Sequence, residues 1–314
     1  MAVLEKTVHS GIFALSPLPY PMEEGKNKRH TEMILKREEI APNIFEMVVE
    51  HPRLATKAQP GHFVIIMADA NSERIPLTIA DFDRDAGTIT LVVMAVGTST
   101  RKIVKLGPGD SFHALIGPLG HASELADFGT VIMVAGGVGT APIFPIARAL
   151  KERGNRVISI QGARSKDLLF WTDKLAAVSD EHIITTDDGS FGRKGLVTEP
   201  LREQLETRQS EIGCVYVVGP AMMMKFAAET IRPFGVKTVA SLNSVMIDGT
   251  GMCGGCRVRV GNETKFTCVD GPEFDGLAID WDVLLLRQKI YCEEEKCSLH
   301  RHLAAIPAHH APDA

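Results

Sequence analysis

The sequence predicts a multidomain protein: an antiparallel β-barrel, then an α/β domain with a parallel sheet, then a small cysteine-rich segment. Three observations carry this prediction. Short β-rich runs separated by Gly, Pro and Asp turns fill residues 31–127, which is typical of an antiparallel barrel or sandwich. Strands alternate with helices over residues 128–240, which indicates a parallel sheet. Three of the six cysteines then fall within sixteen residues, and cysteines clustered in this way indicate metal ligands.

The individual elements follow from local patterns. Residues 1–30 are rich in Pro and charge and are expected to form an extended arm. The β-rich runs of the first block are EMILKREEI, IFEMVVEH, HFVIIMAD and TITLVVMAV. The turns that separate these runs include AQPGH, DRDAGT and LGPGD. In the second block, TVIMVAGG, RVISIQGA and CVYVV predict strands, while PIFPIARALKERG and GPAMMMKFAAETIRPFG contain helices. Residues 241–275 hold the cysteine-rich segment, and residues 276–314 form a tail that includes a short acidic helix.

Composition excludes several function classes. The net charge of −5 and the pI of about 6.1 give no reason to expect binding to nucleic acid or to an anionic membrane. Six cysteines in 314 residues do not predict a disulfide scaffold. No secretory signal stands out at the N-terminus, and no apolar run is long enough to cross a bilayer. We therefore expect a cytoplasmic protein.

The cysteine-rich run DGTGMCGGCRVRVGNETKFTC is the strongest chemical signal. Its spacing, D-x4-C-x2-C-x11-C, matches the plant-type [2Fe–2S] pattern with an aspartate in the first ligand position. Glycines around the cysteines allow a tight loop whose amides turn toward a cluster. A zinc site would require four N or S ligands, and this stretch has neither a second CxxC pair nor a nearby His; three incidental buried thiols are the other alternative. The predicted iron ligands are Asp248, Cys253, Cys256 and Cys268.

A glycine-rich turn opens the α/β block. Gly136, Gly137 and Gly139 follow a hydrophobic strand and precede a helix that begins near Thr140 and Pro142. Glycine at this point lets a pyrophosphate approach amides at a helix N-terminus. The pattern is G-x-G-x-x-P rather than G-x-G-x-x-G, and a purely structural turn would look the same. Its place between strand and helix favours nucleotide binding.

The three parts, in this order, resemble the ferredoxin–NADP reductase superfamily and, within it, the electron-transfer subunits of dihydroorotate dehydrogenase. The resemblance runs from about residue 31 to the tail. It is carried by RIPLT at 74–78, GTST at 97–100, GPLG at 117–120, TDDGSFG at 186–192 and GPAMM at 219–223. It implies a flavoprotein that holds FAD and a [2Fe–2S] cluster and exchanges a hydride with NAD(H), with no general acid–base pair and hence no catalytic side chain.

The resemblance also implies which residues bind the cofactors. The FAD set is Arg74, Pro76, Leu77, Thr78, Val92, Val93, Met94, Gly97, Ser99 and Thr100. The NAD(H) set is Gly136, Gly137, Gly139, Thr140, Pro142, Asp187, Asp188, Gly219, Pro220 and Met222. Plainer interpretations remain open. Arg74 could be a surface cation, the hydroxyl residues at 98–100 and the carboxylates Asp187 and Asp188 could be ordinary turn residues, and the run from Met222 could serve helix packing. Because Arg164 is the only nearby cation, the two carboxylates favour NAD(H) over NADP(H).

Asp248 narrows the resemblance further, because dihydroorotate dehydrogenase subunits normally have Cys at that position. The form MIDGTGMCGGC is similar to the small subunits of electron-bifurcating, NADH-dependent reduced ferredoxin:NADP oxidoreductases and to sulfide dehydrogenase-type subunits. This implies a larger partner with flavin and [4Fe–4S] clusters, similar to the small subunit of glutamate synthase. A carboxylate donates electrons to iron more weakly than a thiolate, so we expect a raised cluster potential, in the same direction as in His-ligated clusters. The alternatives are an NAD-dependent dihydroorotate dehydrogenase subunit and a non-catalytic electron carrier. Cys214, Cys292 and Cys297 are expected to be structural thiols.

Overall fold

A computed structural model describes residues 32–304, so the predicted arm at 1–30 lies outside the described residues. The strands are β1 (Met33–Ala41), β2 (Ile44–Glu50), β3 (Phe63–Met67), β4 (Ile75–Asp83), β5 (Thr88–Met94), β6 (Ala114–Leu119), β7 (Thr130–Gly136), β8 (Arg156–Ala163), β9 (Glu181–Thr186), β10 (Arg193–Lys194), β11 (Ile212–Val218), β12 (Lys237–Ser241), β13 (Arg257–Val260), β14 (Glu263–Phe266) and β15 (Glu273–Asp275). The α-helices are α1 (Pro52–Lys57), α2 (Thr98–Ile103), α3 (Thr140–Glu152), α4 (Thr172–Ala177), α5 (Thr198–Arg208), α6 (Ala221–Ile231), α7 (Thr267–Asp270), α8 (Trp281–Arg287) and α9 (Cys292–Ala304).

The first block is an antiparallel sheet of six strands in the order β1-β2-β5-β4-β3-β6. It is not the closed barrel that the turn-separated runs predict, since the edge strands β1 and β6 do not pair with each other in the described chain. The loop before β6 takes up the free edge of β1 instead. Ile34 N donates to Asp110 O, and Gly109 N donates to Ile34 O, both at 2.9 Å. A register shift between Ile34 and Lys36 accompanies this contact, and such irregularities bend an edge strand away from regular pairing.

The second block is a seven-stranded sheet in the order β10-β9-β8-β7-β11-β12-β15, parallel except for the antiparallel edge strand β15. Helices cover both faces, and β7 is buried along its whole length, as expected for a central parallel strand. The predicted parallel α/β sheet is therefore confirmed. The remaining strands, β13 and β14, form a hairpin in the cysteine-rich segment.

The two large sheets meet along a mixed contact. A buried apolar cluster joins residues of the antiparallel sheet, such as Ala80 and Val92, to Ala141 of α3 and Phe170 of the parallel block. Arg148 of α3 also forms an ion pair with Asp81 of β4 at 2.8 Å. This contact sets the position of the carboxyl ends of the parallel strands against β4 and β5.

No helix in residues 32–304 is both long enough and apolar enough to cross a bilayer.

Candidate cofactor site

A cavity of about 830 Å³ lies where the antiparallel sheet, the parallel sheet and the start of the cysteine-rich segment meet. A concave site at the carboxyl ends of parallel strands is the usual ligand position in open α/β sheets. Its walls include these residues of the predicted cofactor sets: Pro76, Leu77, Thr78, Val92, Met94, Gly136, Gly137, Gly139, Pro142, Asp187, Gly219 and Pro220.

Glycine is required where β7 and β11 end side by side. A Cβ on Gly139 would overlap the carbonyl oxygen of Val218, and a Cβ on Gly136 would overlap the sulfur of Met223. A Cβ on Gly219 would lie 2.9 Å from Met223 Cε. The loops after β7 and β11 therefore pack closely against each other, and α3 begins directly behind them with its N-terminal amides facing the cavity end of the sheet.

Eight residues predicted to bind a cofactor lie outside the cavity lining. Arg74, Gly97, Ser99 and Thr100 lie beside it, and Val93, Thr140, Asp188 and Met222 make other contacts or are exposed. Thr140 is buried, and its hydroxyl accepts a hydrogen bond from Gln161 Nε2 at 3.3 Å. Val93 points into the core of the antiparallel sheet. Asp188 caps its own turn, and Met222 is exposed on α6.

Strand geometry explains why Val93 is excluded. Successive side chains of a strand point to opposite faces, so Val92 and Met94 of β5 reach the cavity while Val93 between them cannot. Neighbouring residues of a helix also point in different directions. On α6, Met223 therefore lines the cavity while Met222 is exposed. A motif that names consecutive residues does not separate the two faces.

The motif residues near α2 form a second group beside the cavity. Thr100 Oγ1 accepts from Gly97 N at 3.0 Å and caps the helix, while Ser99 Oγ donates to Glu73 at 3.4 Å. The Thr98 hydroxyl is 3.0 Å from that of Ser298 on α9. The side-chain hydroxyls are thus used within the protein, and the amides of the first helical turn are the groups left to meet an anion.

Arg74 stands at the start of β4, next to this group. Its side chain is exposed and has neither a hydrogen-bond acceptor nor an ion-pair partner within residues 32–304. An exposed guanidinium without a partner leaves all of its donors available to a ligand.

Asp187 and Arg164 both border the cavity, at the ends of β9 and β8. Asp188 differs from its neighbour, because its carboxylate accepts from Ser190 N at 2.9 Å and from Ser190 Oγ at 2.7 Å. The Ser190 hydroxyl and amide lower the pKa of Asp188. Asp188 therefore shapes the turn, and Asp187 is the carboxylate presented to the cavity.

The four predicted iron ligands form two pairs. Cys256 Sγ and Cys268 Sγ are 3.2 Å apart in a buried site, while Asp248 Oδ2 accepts from Cys253 N at 2.7 Å. No three acidic, histidine or cysteine side chains converge to a metal site in the chain between residues 32 and 304. The arrangement nevertheless fits a cluster with two ligands on each iron. Asp248, Cys253 and Cys256 share one loop in which Gly249, Gly251 and Gly254 have positive φ, and Cys268 on α7 lies beside Cys256.

Asp248 also acts as a loop cap. Its Oδ1 accepts from Thr250 N at 2.8 Å, and this bond is the main cause of a lowered Asp248 pKa, together with the bond from Cys253 N. Burial and the neighbouring Cys256 thiol raise the pKa of Cys268 to about 12. Metal binding at Cys268 therefore requires loss of the thiol proton, as is usual where metal binding and ionisation are coupled.

The cysteine-rich loop packs directly on the antiparallel sheet. Cys256 and Cys268 share a buried cluster with Phe63 and Ile65 of β3, and Phe63 also lines the cavity. A Cβ on Gly249 would lie 2.8 Å from Leu119 Cδ1, so only glycine permits this close approach. Phe63 of β3 and Met246 therefore both pack in the cluster of the thiol pair and line the cavity.

Several residues that line the cavity are not among the cofactor-binding residues predicted from the sequence. Gly162 is the second-last residue of β8, and a Cβ there would overlap Val197. A glycine at the end of a buried strand is the same pattern that marks Gly136, and it could have predicted this residue. Ser241, Leu242 and Asn243 extend the wall from β12 to the cysteine-rich segment, and no local pattern marks them.

The remaining cysteines differ in their surroundings. Cys214 is buried in β11, and burial raises the pKa of its thiol to about 12, as expected of a structural thiol. Cys297 is exposed on α9 and Cys292 is half-buried, so neither has the buried setting that a structural thiol predicts.

The fold and the cavity define a class: flavin-type reductases in which an antiparallel sheet meets a nucleotide-binding parallel sheet. Family models identify the two later parts. Residues 133–229 match the oxidoreductase NAD-binding domain, and residues 243–280 match the iron–sulfur cluster binding domain of dihydroorotate dehydrogenase B. These matches confirm the predicted NAD(H) and iron–sulfur cofactors.

Curated relatives then give the family. The electron transfer subunit homolog of dihydroorotate dehydrogenase B (NAD(+)) from Thermotoga maritima is 45% identical over 86% of this chain and 95% of its own length. The electron transfer subunit from Bacillus caldolyticus is 33% identical over 75% of this chain and 92% of its own length. The chain belongs to the family of dihydroorotate dehydrogenase B electron-transfer subunits.

Solved structures agree with this assignment. A chain from the structure of an NADH-dependent reduced ferredoxin-NADP oxidoreductase, studied for flavin-based electron bifurcation, has a TM-score of 0.82 and 44% identity over 87% of this chain and 98% of its own. A ferredoxin NADP+ reductase from Neisseria gonorrhoeae with bound FAD and NADP shares the fold, with a TM-score of 0.54 and 19% identity over 65% of this chain and 90% of its own. The predicted function, an electron-transfer subunit of an NAD(P)H oxidoreductase, is confirmed, and the flavin-reductase fold supports FAD as the third cofactor.

Proposed function

We propose that this chain is the small subunit of an electron-bifurcating reductase, in which it exchanges a hydride with NAD(H) and passes single electrons to a larger flavin- and [4Fe–4S]-containing subunit. The shared cavity supports the electron-transfer role, because one space borders the flavin strand, the nucleotide loops and the segment that leads into the iron–sulfur loop. The observation that carries the bifurcating assignment is the likeness, at 44% identity and a TM-score of 0.82, to a chain of the bifurcating NADH-dependent reduced ferredoxin-NADP oxidoreductase. Bound FAD supplies two-electron hydride chemistry together with one-electron steps, and the cluster carries electrons singly.

The residues divide this work by position. Pro76, Leu77 and Thr78 form the wall against which the flavin ring is held, and Val92 and Met94 close the same face. Arg74 and the amides at the start of α2 bind the flavin pyrophosphate. The loops containing Gly139 and Gly219 admit the nicotinamide nucleotide on the opposite wall.

The cluster ligands are Asp248, Cys253, Cys256 and Cys268. Two features support Asp248 in this role: it occupies the first position of the ligand pattern, and its carboxylate is already directed at the backbone of Cys253. Each carboxylate oxygen has two lone pairs, so the bonds from Thr250 N and Cys253 N leave acceptor capacity for iron. Thiolate ligands and NAD(H) both suit a cytoplasmic location.

Two alternative functions are an NAD-dependent dihydroorotate dehydrogenase subunit and a non-catalytic electron carrier. An NAD-dependent dihydroorotate dehydrogenase subunit shares the family, and the Bacillus caldolyticus relative carries that name. A non-catalytic electron carrier would keep the fold without reacting with NADH. The glycine-lined nucleotide loops at Gly136, Gly139 and Gly219 favour a subunit that reacts with the nucleotide itself.

Rapid mixing of the isolated, cofactor-loaded chain with NADH tests the reaction. We expect fast bleaching of the flavin followed by the appearance of a reduced [2Fe–2S] signal in paramagnetic resonance. In a Cys256→Ser variant the flavin should still bleach, but no cluster signal should follow. Cys297→Ser removes an exposed thiol outside the ligand set and should behave as the wild type. Flavin that NADH leaves oxidised would identify a carrier.

Affinity purification from the native organism tests the partner. A partner that contains flavin and [4Fe–4S] clusters supports bifurcation, and the complex should then couple NADH, NADPH and ferredoxin. A partner that oxidises dihydroorotate would contradict the bifurcating assignment and support the alternative.

A further inference from the structure

Helix α8 ends against the iron–sulfur loop. Arg287, its last residue, donates from Nη2 to the carbonyl oxygen of Gly255 at 2.9 Å. Gly255 lies in the CGGC turn, between the proposed ligands Cys253 and Cys256, and its own N–H donates to Cys253 Sγ at 3.4 Å. The guanidinium thus binds the backbone of the residue that lies between the two ligands and whose N–H contacts one of them.

The helix that presents Arg287 is firmly placed. Asp280 caps its N-terminus by accepting from Val283 N at 3.1 Å, and Trp281 and Leu284 are buried in the core of the parallel sheet. Gln288, one residue beyond the helix, donates to Asn243 Oδ1 at 2.8 Å. Both ends of the segment 243–255 are therefore tied to the same helix, and this fixes the loop relative to the nucleotide-binding sheet.

The charge of Arg287 is not compensated by a carboxylate. Among residues 32–304 no Asp or Glu forms an ion pair with it, although its side chain is half-buried. Three anionic ligands in this loop and a fourth, Cys268, on α7 would place a large negative charge near this cation. Cluster potentials respond to net charge, hydrogen bonding and solvent exposure, and an arginine presents a fixed charge that does not titrate.

We propose that Arg287 is a positioning residue of the iron–sulfur site: it fixes the Gly254–Gly255 turn between two ligands, and its positive charge raises the reduction potential of the cluster. The inference rests on the [2Fe–2S] site of the proposed function. It assigns to α8 a part in electron transfer, since a higher potential favours the cluster as the acceptor of electrons from the flavin.

A redox titration of the cluster in the purified, cofactor-loaded chain tests this. Arg287→Gln should shift the reduction equilibrium about tenfold toward the oxidised cluster, which corresponds to about 59 mV for one electron. Arg287→Lys keeps the charge and should show a smaller shift in the same direction. Lys289→Gln removes the same charge two residues away, from an exposed side chain, and should leave the potential unchanged.

The measured potentials either support or overturn the role of Arg287. Equal potentials in Arg287→Gln and wild type, or equal shifts in Arg287→Gln and Lys289→Gln, would overturn the proposal. If Arg287→Gln loses the cluster, retention of the cluster in Arg287→Lys supports the proposal, whereas loss from both variants with an intact circular dichroism spectrum overturns it. A wild-type chain that holds no [2Fe–2S] cluster would instead refute the proposed function on which the inference rests.

Discussion

The carboxylate of Glu46 accepts a hydrogen bond from the indole N–H of Trp171 at 2.8 Å. Glu46 belongs to β2 of the antiparallel sheet, and Trp171 precedes α4 of the parallel block, so this bond joins the two halves of the cofactor site. Lys36 Nζ donates to the same carboxylate at 3.0 Å. Trp171 has a left-handed backbone, with φ of 53°, which a residue adopts only when its surroundings hold it there.

Glu46→Gln should destabilise the protein at neutral pH by about 2 kcal/mol, because a buried charged acceptor is lost. Burial raises the pKa of Glu46, but bonds from Lys36 and Trp171 and the charge of Lys174 outweigh it, so the net shift is downward. When the pKa of a carboxyl group is lower in the folded state, the group stabilises the fold at pH values above its unfolded pKa. This stabilisation is lost as the pH falls through the folded-state pKa. Urea unfolding from about pH 7 to about pH 4 should thus show wild type and variant converging in acid. A constant difference across that range would contradict the assignment.

Arg74→Ala should weaken FAD binding by about 1.5–3 kcal/mol, or roughly 10- to 100-fold, because a charge-assisted contact to phosphate is removed. Fold stability should not change, since the side chain makes no hydrogen bond within the described residues. The purified variant should be flavin-depleted by absorbance and refill only at raised FAD concentration. Arg53→Ala, an equally exposed arginine on α1, provides the control, and full occupancy in Arg74→Ala would refute the role.

Sequence patterns located most of this architecture. The alternation of buried strands and amphipathic helices predicts β7, α3, β8, β11 and α6 with ends close to those observed. The open sheet was not predictable in the same way, because closure depends on whether distant edges meet. Here the loop at Gly109–Asp110 occupies the edge of β1, and no local pattern reports such a contact.

The same limit applies to the site. Motifs place Val93 and Met222 among the cofactor residues, but only the pleat of β5 and the turn of α6 show that they face away. Asp187 and Asp188 are adjacent and chemically alike, yet Ser190 engages one of them. Arg287 lies far from the cysteines in sequence, so its contact with Gly255 requires the three-dimensional structure.

Asp187 should set the nucleotide preference. Its carboxylate borders the cavity and, as carboxylates do, should bind ribose hydroxyls and repel a 2′-phosphate. The wild type should therefore be reduced faster by NADH than by NADPH. Asp187→Ser should lower the ratio of the NADH rate to the NADPH rate about tenfold, since Arg164 on the same wall can then pair with the 2′-phosphate. Glu206→Gln, an exposed charge change on α5, should not alter the ratio; equal rates with both nucleotides in the wild type would contradict the assignment.

Glu273 should limit stability at high pH. Burial, reinforced by the charge of Glu124, raises the pKa of Glu273 to about 7, although Ser123 Oγ donates to it at 2.6 Å. A raised folded-state pKa means that stability is full below the unfolded value and is lost as pH rises toward 7. Glu273→Gln keeps the acceptor for Ser123, so it should stabilise by about 2 kcal/mol at about pH 8 and have little effect at about pH 5. Thermal unfolding at both pH values measures this, with Glu206→Gln as control; stabilisation that is equal at both would contradict it.

Asp248→Cys tests the unusual ligand. If Asp248 binds iron, the variant should retain a [2Fe–2S] cluster, now with four thiolates, and its reduction potential should fall because a thiolate donates more electron density than a carboxylate. Its paramagnetic resonance spectrum should change as well. If Asp248 only caps the loop through Thr250 N and Cys253 N, potential and spectrum should stay as in the wild type.

Asp248→Asn is a second test of whether Asp248 binds iron or only caps the loop. Asparagine keeps one of the two oxygens that accept from Thr250 N and Cys253 N, but it has no negative charge to offer iron. A ligand role predicts that this variant loses its cluster readily to a chelator, while a capping role predicts release no faster than from a variant that weakens another carboxylate cap of the same segment. Asp270→Asn is the matched control, because Asp270 also accepts a backbone hydrogen bond in the same segment, from Phe266 N at 2.6 Å, without belonging to the ligand pattern. Coordination requires that Asp248→Asn release the cluster faster than Asp270→Asn; equal release rates would show that the carboxylate serves the loop and not the iron.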